Sequence, residues 1–380
     1  MAKNILVIST DLTGHGHKSI AEALSEQFED YNSSVNINVI DGFILSGIVG
    51  KAMGNIYSPL VKYTPALWKL YYTLVYMFPG LTNSFTCLNF KKEFMNTIYR
   101  VKPDLIITLH SAFVGSVIDL LEVAKMDIPV ITVIADITSI TRLWTDKRSV
   151  FTICPTIEAE EKVKKFGVPR DSIKCFGFPV RKRFYNHNIE LSHINKDSYM
   201  SRKLKFLIIN GSEKTRNIEK ILHSILLSFH CEVAVICGRD ERLYKRLTKE
   251  FCKQNYADLN ILGYVANIQE YMFNNDFLIT RGSPNIIMEA VNCCIPIVMC
   301  GSLPGQEEEN PDFVINNGLG ILCSDINAIA SNVEKLLEND FKGVIDIRKN
   351  QYNFRNLNAS KDMVEFIVSQ MEGQPLNALG

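Results

Sequence analysis

Residues 276–290 read DFLITRGSPNIIMEA, and this stretch decides what kind of fold the chain has. The run 276–280 ends at Thr280 and has the character of a buried parallel strand. The small residues Gly282 and Ser283 follow, and Pro284 suits the first turn of a helix, where its missing N–H costs nothing. Strand, tight turn and helix in direct succession are half of a parallel βαβ unit. Backbone N–H groups at such a helix start, in the turn formed by Ser283, Pro284 and Asn285, can hold a diphosphate, with Ser283 and Asn285 supplying the donors. Arg281 can neutralise the charge that grows on a departing phosphate. Glu289 lies one turn in, where a carboxylate can accept two hydrogen bonds from a ribose diol. After the next apolar run, 296–300, comes SLPGQEEEN at 302–310, in which Gln306 and Glu307 offer planar polar groups to sugar hydroxyls.

Outward from this stretch the same alternation fills the chain. Apolar runs at 205–210, 232–237, 260–265 and 320–323 read as further strands, with helical patterns between them at 240–251 and 284–292. An earlier set, at 4–9, 35–41, 104–110, 129–136 and from 151, alternates with helical patterns near 18–28 and 157–166. The expectation is an α/β protein of two Rossmann-like doubly wound halves. Its 380 residues are more than one core usually holds. The polar, aperiodic segment 181–202 reads as a link. This divides the chain into an N-terminal domain at 1–185, a C-terminal domain at 200–345 and a tail at 346–380, whose helix near 361–371 returns to the N-terminal domain. In open α/β sheets ligands bind beyond the carboxyl ends of the strands, so residues that follow strands are the candidates.

The loop after the first strand is Asp11-Leu12-Thr13-Gly14-His15-Gly16-His17. Gly14 and Gly16 allow a tight turn and close approach to a ligand. His17 stands at the start of the next helix, and imidazole is the side chain best suited to take a proton near neutral pH. His15 is placed to serve as well.

Residues 42–92 contain no aspartate or glutamate, but they hold Lys51, Lys62, Lys69, Lys91 and Lys92. Aromatics are dense there, among them Tyr63, Trp68, Tyr71 and Tyr72. A basic segment rich in aromatic and aliphatic residues suits the interface of an anionic membrane. The alternative is a helical insertion, 43–92, with its aromatics in the core.

Lysine plus arginine balances aspartate plus glutamate at 41 each, which gives no reason to expect a nucleic-acid partner. Ten cysteines without a Cys-x-x-Cys spacing read as reduced thiols of a cytoplasmic protein. No run reaches the roughly 18 to 20 apolar residues that a spanning helix needs, so the expected attachment is peripheral. No Asp-x-Asp pair follows a suitable strand, so no metal and no cofactor are expected.

The order of strand, small-residue turn, Glu289, strand, Pro304-Gly305-Gln306-Glu307 and Asn310 resembles the donor half of the MurG-like GT-B glycosyltransferases of family 28. Within them the chain is most similar to the monogalactosyldiacylglycerol synthases and processive diacylglycerol glucosyltransferases. The segments 235–239 (VICGR), 262–265 (LGYV), 133–136 (VIAD) with Trp144, and 176–181 (FGFPVR) fit the same branch, as do the Gly14 to His17 loop and the aromatic insertion. The resemblance implies a GT-B fold, with the two domains facing each other across a cleft. It implies a UDP-hexose donor and a diacylglycerol acceptor at the inner face of a membrane.

It further implies that Gly211, Arg239, Val265, Arg281, the 282–285 turn, Glu289, Gln306 and Glu307 hold the donor. Gly14, His15 and Gly16 would line the acceptor side, with His17 as base and Asp136 orienting it. His15, His17 and Asp136 all remain candidates for the base. Ile286 stands where the family usually has threonine, and the loop at 211–214 (GSEK) has fewer glycines. Three other readings compete: a soluble or polyprenyl-linked acceptor, a UDP-sugar epimerase of the same architecture, and a UDP-sugar-binding protein without transfer.

Overall fold

The first strand, β1 (Lys3–Ser9), is buried along its last five residues, because a parallel strand covered by helices on both faces needs apolar side chains on both. The computed structural model describes residues 3–11, 16–31, 35–200, 202–211, 214–251 and 258–373. Contacts divide the chain into two compact units. One comprises Met1–Lys182, Pro304–Gln306 and Asn356–Gly380, and the other Arg183–Leu303 and Glu307–Arg355.

The first unit contains β1, α1 (Gly16–Tyr31), β2 (Val35–Asp41), α2 (Gly42–Leu45), α3 (Gly47–Tyr63), α4 (Pro65–Met77) and α5 (Pro79–Val101). It continues through β3 (Leu105–Thr108), α6 (Ser111–Val123), β4 (Val130–Val133), β5 (Phe151–Cys154), α7 (Ile157–Lys165) and β6 (Ile173–Cys175). Its strands lie in the order β2-β1-β3-β4-β5-β6, every pair parallel. The order reverses between β1 and β3, which makes the loops after these two strands the switch point. Proline opens α4 and α5, so the insertion is three successive helices rather than one.

The second unit contains α8 (Asp197–Met200), β7 (Leu204–Ile209), α9 (Thr215–Ser228), β8 (Cys231–Ile236), α10 (Glu241–Phe251), β9 (Leu259–Leu262) and α11 (Ile268–Asn274). There follow β10 (Phe277–Thr280), α12 (Pro284–Asn292), β11 (Ile297–Met299), α13 (Asn310–Asn316), β12 (Gly320–Leu322) and α14 (Ile329–Phe354), which is broken at Glu338–Phe341. Its strand order is β12-β11-β10-β7-β8-β9, again all parallel, with the switch between β7 and β10. The last helix, α15 (Ala359–Gly373), packs on α1 of the first unit.

These two parallel α/β sheets are the expected doubly wound halves. The unit boundaries differ from the sequence reading: the chain changes unit at 182/183 rather than across 185–200, and returns at 355/356 rather than at 345/346. Apolar content does not change at these points, so periodicity could not locate them. One strand, β6, is not legible as an apolar run, because its three residues are Ile173, Lys174 and Cys175. Strands β3 and β4 stop before the polar ends assigned to them, leaving Leu109, His110 and 134–136 in loops.

Candidate functional site

In the first unit, β3 ends one residue before Leu109, and the Leu109 carbonyl receives a hydrogen bond from His17 Nδ1 at 2.6 Å. A carbonyl only accepts, so Nδ1 carries the proton and Nε2 holds the free lone pair. His110 sits 4.6 Å from His17 between ring centroids and caps α6, its own Nδ1 accepting from the Ala112 N–H at 3.1 Å. That bond places the His110 proton on Nε2. Two neutral imidazoles therefore lie side by side at the switch point, one with an acceptor exposed and the other with a donor.

Burial pushes the His17 pKa down to about 4, against smaller opposing contributions from the Leu109 carbonyl and Asp41. Burial and the neighbouring His17 hold His110 well below the usual histidine range. Asp41 ends β2 and caps α2 through Phe43 and Ile44 N–H, while its other oxygen accepts from the Asp11 N–H.

These shifts carry a sign for stability. Between the ordinary histidine value and about 4, the unfolded chain binds protons that folded His17 does not. Stability is therefore full above pH 6.5 and falls as the pH drops towards 4, by ~3 kcal/mol from His17 alone. A thermal melt series from pH 7 to 4 should show this decline. His17→Asn, which keeps a donor for Leu109 without a titrating ring, should flatten it.

Asp136 is buried and accepts from the Trp144 indole N–H at 2.7 Å, and the Trp144 ring lies 6.2 Å from His17. The bond to Leu109 orients His17, and Asp136 anchors the indole beside it. Gly16 opens α1 just before His17. Gly14 and His15 lie outside the described residues.

Trp68 departs from its expected exposure at a membrane: it is buried, with Tyr57, Tyr71 and Tyr72 rings at 5.1, 5.5 and 6.2 Å. Tyr63 is exposed, as is Tyr71, while Tyr72 is half-buried. The outer apolar surface is mixed, with Tyr63, Tyr76, Phe78 and Phe85 exposed beside aliphatic residues. Leu67, Leu70, Leu74 and Met77 recur at helical spacing on α4 and are all exposed, continuing to Leu81 and Leu88 on α5. The inner faces of α3, α4 and α5 enclose a cavity of about 590 Å³ that reaches His110, Ser111 and Asp136.

In the second unit, Gly211 after β7 and Arg281 after β10 meet at the switch point. A Cβ on Gly211 would lie 2.9 Å from the Arg281 Cβ. A Cβ on Gly282 would lie 2.0 Å from Met299 Cε, so the Met299 side chain would have to shift. The turn is fastened by Gly282 N–H to Gly301 O at 2.9 Å and by buried Asn310, whose Nδ2 donates to Gly282 O at 2.9 Å. Ser283 occupies the N-cap of α12 without a side-chain cap bond, and Pro284 is the first helical residue. The first-turn N–H groups of Asn285 and Ile286 therefore have no acceptor within the helix. Glu289 is buried on the same helix. Exposed Arg239 lies over the Tyr264 ring at 5.6 Å, beside half-buried Val265, where β8 and β9 end in register.

Glu307, read from the sequence as a sugar contact, has partners within the protein. Its carboxylate pairs with Arg281, Nη2 donating to Oε1 at 3.2 Å and Nε lying 3.0 Å from Oε2, and it also accepts from the Leu303 N–H at 2.9 Å. Both partners are nearly buried, so Glu307 holds the guanidinium in place at the turn. Gln306, its neighbour in sequence, belongs with the first unit.

Residues 17–180 match the Monogalactosyldiacylglycerol (MGDG) synthase family, and residues 206–365 match the Glycosyltransferase family 28 C-terminal domain. The chain belongs to this family of glycosyltransferases. It is similar to a probable monogalactosyldiacylglycerol synthase 2 of Oryza sativa subsp. japonica, 26% identical, covering 88% of this chain and 73% of the relative. It is also similar to a processive diacylglycerol beta-glucosyltransferase of Staphylococcus saprophyticus, 28% identical over 88% of this chain and 84% of the relative. Among solved structures, MurG of Acinetobacter baumannii superposes with a TM-score of 0.63 at 12% identity, covering 97% and 99% of the two chains. A UDP-GlcNAc 2-epimerase of Neisseria meningitidis superposes with 0.64 at 14%, covering 97% and 100%. The fold is GT-B.

Two site residues of this glycosyltransferase escape sequence reasoning. His110 closes an apolar run and looks like the end of a strand; only the pairing of β1 with β3 brings it to His17. Leu109 acts through its backbone carbonyl, which leaves no signal in side-chain identity.

Proposed function

We propose that this glycosyltransferase moves a hexose from a UDP-sugar to the free hydroxyl of a diacylglycerol, with inversion, on the inner surface of an anionic membrane. The observation that carries the reading is the His17 Nε2 acceptor, fixed through Leu109 on the unit whose helical insertion surrounds an apolar cavity. His17 takes the hydroxyl proton as the glycerol oxygen bonds to the anomeric carbon. His110 Nε2–H donates to the same oxygen and orients it. The bond from that carbon to the UDP oxygen breaks with its electron pair, and Arg281 with the Asn285 and Ile286 N–H groups stabilises the departing diphosphate. Backbone groups do this without the threonine hydroxyl that Ile286 lacks. Glu289 binds the ribose, Gly211, Arg239 and Val265 border the nucleobase, and Gln306 contacts the hexose. No divalent ion enters this scheme.

Membrane attachment rests on the exposed aliphatic row of α4 and α5 and on Lys51, Lys69, Lys91 and Lys92 around it. No helix among the described residues is long and apolar enough to cross a membrane.

The test is UDP release from UDP-glucose and UDP-galactose, with and without diacylglycerol in phosphatidylglycerol vesicles. Release should require diacylglycerol and should name the donor. Release that ignores the lipid would point to another acceptor or to epimerase chemistry, and UDP binding with no release would point to a silent binding protein.

A further inference from the structure

Helix α4 is apolar on two faces. Leu67, Leu70, Leu74 and Met77 point outward and are exposed, while Trp68, Tyr71, Tyr72 and Val75 line the cavity of about 590 Å³ shared with α3 and α5. A helix that only lay on a bilayer, or only packed on a core, would need one apolar face. The inner wall is mostly apolar, and Met53, Leu60 and Phe85 extend it, with Thr82, Thr86 and Asn89 of α5 among its polar members. His110, Ser111 and Asp136 close one end. The named lining residues all belong to the first unit.

A mostly apolar chamber that ends at a hydroxyl-handling group matches a glyceride, with its hydrocarbon chain and free hydroxyl. The outer face of α4 is apolar, and no acid occurs on α3, α4 or α5 before Glu93, so the chamber adjoins the surface from which such a molecule would come. We propose that the protein draws one acyl chain of its acceptor out of the bilayer into the chamber between α3, α4 and α5, with the hydroxyl at His110. This rests on the lipid-acceptor reading above but goes further, since a transferase can also act on a hydroxyl presented at the bilayer surface with both chains left in the membrane.

The chain has two tryptophans, so Trp144→Phe leaves Trp68 as the sole reporter, its fold checked by circular dichroism. The protein is mixed with phosphatidylglycerol vesicles in which either the diacylglycerol or the phospholipid carries brominated chains. Trp68 fluorescence should be quenched mainly by brominated diacylglycerol, and Val75→Phe, which narrows the chamber, should remove most of that quenching. Equal quenching by brominated phospholipid, unchanged by Val75→Phe, would overturn the proposal.

A second measurement needs no reporter variant. In the otherwise native chain, Val75→Phe should lower kcat/KM for dioleoylglycerol about tenfold, the factor expected when two chain methylenes are kept out of apolar space, and should spare dibutyrylglycerol. An equal loss on both acceptors would mean a packing defect and would also overturn the proposal. Selective quenching without UDP release from any acceptor would leave the chamber standing and remove the transferase reading instead.

Discussion

His17→Ala is expected to lower diacylglycerol-dependent UDP release by about a thousandfold while leaving UDP binding intact, the usual range for loss of a general base being roughly 10²–10⁴. The argument is one of tautomer. Leu109 takes the Nδ1 proton, so Nε2 is left basic, and the low pKa keeps the ring neutral at physiological pH. His17→Asn separates this role from a structural one, because the asparagine amide can still donate to Leu109 but offers no basic nitrogen where Nε2 stood. It should be as inactive as the alanine variant. An asparagine enzyme retaining most of its rate would place the base elsewhere, at His15 or Asp136. The pH profile is a further check: the acid limb should lie near pH 4 to 5 rather than 6.5, since base function is lost only when His17 protonates.

The second large effect concerns Arg281. Arg281→Ala should cost about 10²–10³ in kcat through loss of leaving-group stabilisation. It should also cost roughly 3–5 kcal/mol in stability, because Glu307 is left as a buried carboxylate without its counter-charge. The two losses can be pulled apart. The double variant Arg281→Met with Glu307→Gln removes the stranded charge but keeps an acceptor for the Leu303 N–H, so it should regain most of the stability in a denaturant melt and none of the rate. If the double variant regained activity as well, Arg281 would be a structural staple and the diphosphate would rest on the α12 N-terminus alone. Glu307→Gln by itself should loosen the guanidinium and raise KM for the donor more than it lowers kcat.

Much of this protein was legible from its residues. The apolar runs identified eleven of the twelve described strands, because a parallel strand covered on both faces must be apolar throughout. The turn at 281–284 was readable because a glycine followed by a proline suits a tight strand-to-helix turn, Pro284 needing no N–H at the first helical position. The loop to His17 was visible from its two glycines between an apolar run and a helical pattern. What sequence could not show is what depends on partners far apart in the chain. Strand pairing of β1 with β3 sets His17 against Leu109 and His110, ninety-odd positions away, and so decides which nitrogen is basic. Arg281 and Glu307 each looked like a ligand contact, but the fold joins them to one another, since a nearly buried charge needs its opposite. The aromatic insertion posed a choice between membrane and core, and the tertiary structure assigned its faces differently. The aliphatic row turns outward, and Trp68 turns inward. Composition counts the apolar residues of a helix, but only its packing decides which face each of them occupies.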